Sequence, residues 1–486
     1  MLTFLSISAT GKIPYFESVF FNNQGNQNRI KMPSCYLSGS LKNVSSENNH
    51  HPLPVMKNYV YALLSVVFFV SCTVFVSAQQ IIIKQSNESG IYHSGEAIRV
   101  ILYLPSTKAD SVSVSVRRNY NKQAEKKMYA YRGDSLLVFA ETAANTGSVI
   151  FEATTKTDTA GLGLVVDPEK LTLSTARPKD FESFWNDEKK QLRALSFDIR
   201  STPLKEITKG YRCYTMEINC TGPKPVRGYY AKPDDAKPGS LPIVLYVHAA
   251  GVSGNWCRSE PGNALRYAQM GKGAICFDLN AHGMLVGQPE AYYADLEKNE
   301  LNNYSQTGLE DRATVYFRGM YLRLMRTIDF LTQQPEWDGK RILVIGESQG
   351  GGQALAAAGL DPRVTAVVAT VPAMCDWGRT ISGSKGGWPN PFGTKNDAAK
   401  MLSAVPYFDA VHLLKGSRST IVTEIGLIDF TCSSESVYAA INQSEGKKII
   451  IPVPYRAHQM AQRAFKDIWD KTVGQTKDAF IRDYLK

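Results

Sequence analysis

The constraint that most narrows the fold is a series of short, almost uninterrupted apolar runs in the second half of the chain. PIVLYVHA from Pro242, AICFDL from Ala274, RILVIG from Arg341, AVVATV from Ala366, STIVTEIG from Ser419 and KIIIPV from Lys448 each have the length of a strand. Continuous rather than alternating apolarity means burial on both faces, as in a parallel sheet covered by helices. Two further runs, YRCYTMEI from Tyr211 and VRGYYAKP from Val226, precede them. Helical patterns lie between and before the strands. Ala313, Phe317, Met320, Tyr321, Leu324, Ile328 and Leu331 recur at steps of three and four, which predicts a long helix from Arg312 to Leu331. FESFWNDEKKQLRAL from Phe181 predicts an amphipathic helix with Phe184, Trp185 and Leu192 toward the core. Strands alternating with helices predict an α/β domain with a mostly parallel central sheet over residues 171–486.

Residues 79–170 read differently. Runs from Gln80, Ala97, Ser111, Lys127, Ser135, Ser148 and Leu162 are strand-like and separated by turn residues. SVSVSV from Ser111 alternates strictly, so one face is dry and the other wet. Short strands at this spacing predict an all-β sandwich of immunoglobulin-like type. It holds no cluster of catalytic residue types. Packing against the α/β domain is its expected role, ahead of contact with a polymer. The composition changes near Thr175-Ala-Arg-Pro-Lys.

The chemistry centres on GESQGG from Gly346, which follows the strand at Arg341 and precedes the helix former ALAAAG from Ala354. Strand, G-x-S-x-G, helix is the context of a nucleophile elbow, where a serine sits on a strained turn and its neighbours must lack bulky side chains. A helix N-terminus beside it supplies backbone N–H groups for a developing oxyanion. Ser348 then needs a base and an acid, in the chain order Ser, Asp/Glu, His. Of seven histidines only His412 and His458 follow it. His412 lies in the apolar stretch FDAVHLLKG and reads as structural, whereas His458 follows the last strand by a short loop. Asp429 follows the preceding strand, while Glu424 lies inside it. The expected triad is Ser348, His458 and Asp429. The expected oxyanion donors are the backbone N–H groups of Gln349 and of Ala250, in the loop after the Pro242 strand, with His248 shaping that loop. No metal or cofactor is expected.

The 486 residues carry a net charge of +10 with 43% apolar and 21% charged residues, as in a soluble globular protein. No Lys/Arg block interleaved with aromatics occurs, which argues against nucleic-acid binding. From Met56 one lysine precedes a long apolar run ending in Val76-Ser77-Ala78. Met56–Ala78 reads as a secretory signal peptide, with a lipoprotein cysteine at Cys72 the weaker rival, and no membrane insertion is expected after its removal. Residues 1–55 are polar and irregular and read as a disordered leader. Six cysteines follow Ala78, in no zinc pattern or disulfide framework, and scattered free or singly bridged cysteines are expected.

Several segments together resemble the acetyl xylan esterase / cephalosporin C deacetylase family of α/β-hydrolases over residues 175–486. These are GESQGGGQALAAA from Gly346, LDPRVTAVVATVPAMCDW from Leu360, GLIDFTCSSESVYAAIN from Gly426, RGMYLRLMRTIDFL from Arg318 and FESFW from Phe181. The resemblance implies a serine esterase that deacetylates O-acetylated carbohydrate, xylan or xylo-oligosaccharide, through an acyl-enzyme. It leaves a homo-oligomer open. Two positions depart from the family pattern: Asn280-Ala281-His282 stands where the family has Arg-Gly-Gln, and Gln459 follows His458 where the family has Glu. Trp256, Tyr292, Tyr293, Trp377 and Trp388 lie in loops expected around the site, as candidates for stacking on sugar or for packing. The competing readings are a prolyl-oligopeptidase-like peptidase, a hydrolase of another small ester, and a carbohydrate-binding protein without activity.

Overall fold

The computed structural model describes residues 81–104, 111–131, 133–393, 397–459 and 465–486. The leader, the segment Met56–Ala78 and Cys72 lie outside the described residues. Among the described residues no helix is long and apolar enough to cross a membrane.

The N-terminal part is two packed sheets. Strands β1 (Ile82–Gln85), β3 (Ala97–Tyr103) and β6 (Ser135–Thr142) form one sheet in the order β1-β3-β6. Strands β2 (Ile91–Tyr92), β4 (Ser111–Arg118), β5 (Glu125–Ala130), β7 (Gly147–Thr154) and β8 (Thr159–Val166) form the other in the order β2-β8-β7-β4-β5. The alternation at Ser111 does what it predicts: Val112 and Val114 are buried at 0% and 2% exposure, and they join Val100, Leu102, Phe151 and Leu164 in one core. The two-residue β2 escapes the sequence reading because it is too short to show a period. It pairs in parallel with β8.

The rest of the chain builds one nine-stranded sheet. Its strands are β9 (Ile199–Pro203), β10 (Tyr211–Ile218), β11 (Val226–Pro233), β12 (Leu241–Val247), β13 (Ile275–Leu279), β14 (Trp337–Glu347), β15 (Ala366–Thr370), β16 (Thr420–Gly426) and β17 (Lys448–Val453). The order is β17-β16-β15-β14-β12-β13-β11-β10-β9. Pairing from β13 through β12 to β17 is parallel, and β11, β10 and β9 join antiparallel. The continuous apolar runs are the parallel strands, as their two-sided burial requires. Every residue of β13 and β15 is buried. β9 was not legible, because all five of its residues are exposed on the sheet edge and carry no apolar pattern.

The longer helices are α1 (Phe181–Ala194), α2 (Pro261–Ala268), α3 (Glu290–Lys298), α4 (Tyr316–Leu331), α5 (Gln349–Leu360), α6 (Ser434–Asn442) and α7 (Gln475–Tyr484). The long helix α4 starts at Tyr316 rather than Arg312, because Asp311 to Val315 form hydrogen-bonded turns. In α1, Phe181, Trp185 and Leu192 are buried, and the Trp185 indole N–H donates to Tyr407 O at 2.9 Å. Phe184 is half-buried against the Tyr407 ring at 4.8 Å. All six cysteines among the described residues are free.

The two sheet systems share contacts at one corner. Gly163 N donates to Pro454 O at 2.8 Å, and a Cβ on Gly163 would sit 2.2 Å from Leu427 O, so only glycine lets β8 approach this closely. Ser148 donates from its N–H (3.0 Å) and its hydroxyl (2.7 Å) to the buried Glu435 carboxylate.

His412 is structural, as its apolar setting predicts. It is buried, with Nε2 3.0 Å from Thr175 Oγ1. Burial, helped by Arg177, pulls its pKa down to about 4. The folded form therefore stays neutral where the unfolded form, near pKa 6.5, takes up a proton. This stability is present above the unfolded pKa and is lost as pH falls toward 4. We expect wild-type stability, relative to His412→Gln, to decline by roughly 1 kcal/mol per pH unit between pH 6 and 4.5. Denaturant titrations of both proteins across that range measure it; parallel curves would contradict the assignment.

Candidate active site

The parallel strands deliver the expected residues to one end of the sheet, the usual place for sites in α/β folds. Ser348 follows β14, Asp429 follows β16, His458 follows β17 and Ala250 follows β12. The turn at Ser348 is the strained one the motif requires. Its φ is 54° and ψ is −118°, in the left-handed half of the map where bulky residues are rare. Tightness explains the glycines. A Cβ on Gly346 would lie 2.3 Å from Gly350 C, and one on Gly350 would lie 2.4 Å from Val247 O. Ser348 N–H donates to Thr370 O, and Ser348 O accepts from Gly352 N and Ala373 N. The turn is thus held by β15 and by the first turn of α5.

Ser348 Oγ lies 2.9 Å from His458 Nε2, and His458 Nδ1 lies 2.8 Å from Asp429 Oδ2. With the Nδ1 proton on the carboxylate side, Nε2 accepts from the serine hydroxyl. The other oxygen of Asp429 accepts from Thr431 N and Cys432 N, both at 2.8 Å. Asp429 is fully buried, Ser348 is 8% exposed and the His458 side chain is 19% exposed. Such an arrangement can transfer a proton from a hydroxyl to an imidazole held in one tautomer. Cys432 joins Asp429 and His458 in a group whose ligand-type atoms lie within 4.8 Å of one another. Both Asp429 oxygens already have protein donors, so the group is arranged for proton transfer, not for cradling a cation.

Gln349 is the first residue of α5, and Ala250 sits in the loop after β12. His248 is buried behind that loop, bonded through Nε2 to Asp278 and through Nδ1 to Trp256 O. Burial opposes its charge, but Asp278 outweighs burial and raises its pKa. Its ring hydrogen-bonds Trp256 O and Asp278 and not Ser348, so it braces the loop. Glu424 likewise stays out of the triad. Lys477 Nζ reaches it at 2.5 Å, Trp469 Nε1 at 2.6 Å, and Arg456 pairs with its Oε1. Burial alone would raise the Glu424 pKa, but Lys477 and Arg456 bring it below the usual value.

The five aromatic candidates separate. Tyr293 and Trp377 are 3% and 1% exposed, so they belong to the core and are withdrawn from sugar stacking. Tyr293 OH donates to Leu285 O and its ring carries Arg258 at 4.4 Å; the Trp377 indole donates to Trp388 O at 3.0 Å. Both have large apolar bodies and a polar tip satisfied inside, which sequence cannot tell from an exposed platform. Tyr292 and Trp388 are half-buried. Trp256 is 67% exposed, and its indole N–H donates to Ala250 O at 3.0 Å.

Two supporting groups escaped the sequence reading. Arg456 is buried two residues before His458, and its guanidinium pairs with both Glu424 and Glu347, the latter adjacent to Ser348. It pins the histidine loop to the elbow strand, across a separation of 109 residues. The second group surrounds the altered family motif. Asn280 Oδ1 accepts from His282 N and Met284 N, both at 3.1 Å. His282 is buried, with Nε2 2.9 Å from Gly251 O and Nδ1 2.8 Å from Tyr316 OH. Its roles follow from those partners: Nε2–H donates to Gly251 and Nδ1 accepts from the phenol. Burial, with help from Arg323, pulls its pKa down to about 3, which keeps this one-proton form in place. Tyr304 OH donates to Gln349 Oε1 at 2.6 Å. His282 therefore braces the Ala250 loop while Tyr304 braces the start of α5.

The sheet order and the Ser–His–Asp line place the molecule among the α/β-hydrolase-like proteins. The sequence profile of the acetyl xylan esterase (AXE1) family matches residues 169–474, and the chain belongs to that family of carboxylic ester hydrolases. It is 30% identical over 295 residues to the acetyl esterase Axe7A of Xylanibacter ruminicola, a match covering 60% of this chain and 66% of that protein. In fold it is similar to the acetyl xylan esterase from Paenibacillus sp. R4, with a TM-score of 0.54, 24% identity, and 65% of this chain and 98% of that one covered. Acetyl xylan esterase 1 from Thermoanaerobacterium sp. JW/SL YS485 gives a TM-score of 0.53 at 23% identity, over 66% of this chain and 98% of that one. The resemblance drawn from the elbow and the acid segment thus holds at the level of the whole family match.

His282→Leu would remove the hydrogen bonds to the part-buried Gly251 carbonyl and Tyr316 hydroxyl. We expect a loss of about 1–3 kcal/mol for each, with partial recovery in His282→Gln, which restores a donor and an acceptor. Chemical denaturation of the three proteins tests this; equal stability of the Leu and Gln variants would refute it.

Proposed function

We propose that this protein is a secreted serine esterase that removes acetyl groups from O-acetylated carbohydrate, xylan or its oligosaccharides. The observation that carries the reading is the unbroken line from Ser348 Oγ through His458 to the buried Asp429, in a chain of this family. Ser348 Oγ attacks the acetyl carbonyl carbon, forming a C–O bond while its proton passes to His458 Nε2. Asp429 holds the Nδ1–H and stabilises the imidazolium. The carbonyl oxygen becomes an oxyanion between the N–H groups of Gln349 and Ala250. Collapse breaks the bond to the sugar oxygen, which takes the proton from Nε2, and the acetyl group remains on Ser348. Water then attacks, gives its proton to Nε2, and the ester to Oγ breaks. The proton returns to the serine and acetate leaves.

Supporting features fit this reading. The exposed Trp256 ring borders the Ala250 loop, and Tyr292 and Trp388 keep part of their surface open. We assign these three as platforms for sugar. Secretion rests on the pattern of Met56–Ala78 alone. We divide the chain into a β-sandwich domain, 79–170, and a hydrolase domain, 171–486.

Acetate release from acetylated xylan, acetylated oligosaccharides and small aryl acetates is the decisive assay. We expect turnover on the acetylated carbohydrates, a fall of several orders of magnitude in Ser348→Ala and His458→Ala, and a loss on the order of 10⁴ in kcat for Asp429→Asn. Near-normal turnover in Ser348→Ala would end the assignment.

A further inference from the structure

The corner where the sandwich meets the hydrolase sheet is not a generic packing surface. The turn that follows β4 places Asn119 and Tyr120 at φ 51° and 54°, a left-handed pair that aims the Tyr120 side chain out of the sandwich. The phenol is buried at 4% exposure, inside the other sheet system. It accepts from Ser434 N at 3.1 Å, shares a 3.0 Å hydrogen bond with Ser434 Oγ, and reaches Leu427 O at 3.4 Å. Its ring meets Phe430 edge-on at 5.4 Å, and Arg117 covers the same Phe430 ring at 5.5 Å. Residues 427, 430 and 434 bracket Asp429. One phenol therefore ties both ends of the loop that carries the acid.

Neighbouring contacts tie the sandwich to segments around that loop. Ser148 of β7 holds Glu435 at the start of α6, and Ser384 Oγ donates to Asn119 O at 2.7 Å. Gly163 of β8 grips Pro454, four residues before His458. The loops meet each other too, with Leu427 N donating to Val453 O and Ile428 N to Arg456 O. The sandwich thus touches the two loops that present the acid and the base, and its contacts are hydrogen bonds of defined direction, not only apolar burial.

We propose that the N-terminal sandwich is a positioning element of the catalytic site, in which Tyr120 fixes the loop bearing Asp429. This rests on the triad reading above. Tyr120 does not touch the reacting atoms; it acts through Asp429, whose carboxylate must keep its aim at His458 Nδ1. Small displacements of a catalytic group can cost up to about 10²-fold in rate. Burial raises the phenol pKa, so the O–H stays protonated over any working pH.

The test is a double-mutant cycle on the full chain, with sites counted by covalent labelling of Ser348 with a fluorophosphonate. Tyr120→Phe should lower kcat about tenfold with KM within twofold of wild type. Ser434→Ala, which removes a partner hydroxyl from the other side, should act in the same direction. In an Asp429→Asn background the Tyr120→Phe effect should shrink to less than twofold, because the positioned group is gone. A purely structural role would lower the fraction of labelled sites and leave kcat per labelled site unchanged in both backgrounds, and that result would overturn the proposal. Equal losses in the two backgrounds would do the same. Should Asp429→Asn itself keep wild-type turnover, the triad reading falls and takes this one with it. If Asp429→Asn is crippled while Tyr120→Phe is normal, only the positioning role falls.

Discussion

Ser348 occupies a backbone conformation that a serine does not choose in isolation, at φ 54°. Keeping it there requires the surroundings to over-determine the turn. Its N–H and C=O are committed to Thr370, Gly352 and Ala373, and the glycines at 346 and 350 let strand and helix close to within contact of Val247. The consequence is a hydroxyl held at the mouth of the sheet with a helix start beside it. The segments that follow β16 and β17 bring a carboxylate and an imidazole to that fixed point.

The partners arrive on separate strands, and each is fastened by buried polar contacts. Arg456 ties the histidine loop to Glu347 and Glu424, and Lys477 and Trp469 complete the shell around Glu424. A buried carboxylate such as Glu424 is tolerable only because it is fully paired; removing one partner would leave an uncompensated charge. The Asp429 loop is fastened from within by Thr431 N and Cys432 N, and from outside by Tyr120. The Ala250 loop is fastened by His248 and His282, two histidines with opposite pKa shifts. Asp278 raises one, whereas burial lowers the other. Their hydrogen bonds go to the loop that carries Ala250 and to Asp278 and Tyr316, and both brace that loop.

The altered motif at Asn280-Ala281-His282 is instructive. His282 meets both Gly251 O and Tyr316 OH by using its two ring nitrogens as donor and acceptor. A glutamine amide, the residue type that the resembled family pattern has here, also carries a donor group and an acceptor group. His282 thus offers the same kinds of group in a different shape, and the loop that carries Ala250 is braced.

Much of this was legible in residue order alone. Two-sided apolar runs set the parallel strands, alternation from Ser111 set a sandwich face, and G-x-S-x-G between strand and helix singled out Ser348. The order Ser, Asp, His then left His458 and Asp429 as partners, because strand ends and loops are where a parallel sheet presents side chains. Exposed β9 and two-residue β2 carried no periodicity and were invisible. So was the burial of Tyr293 and Trp377, since an aromatic with a polar tip reads alike whether its partner is water or a carbonyl. Only tertiary structure decided which distant groups meet: Arg456 with Glu347, His282 with Gly251, Tyr120 with the acid loop. These contacts join residues tens to hundreds of positions apart, and a local pattern records the chemistry each side chain offers but not the partner that packing will bring to it.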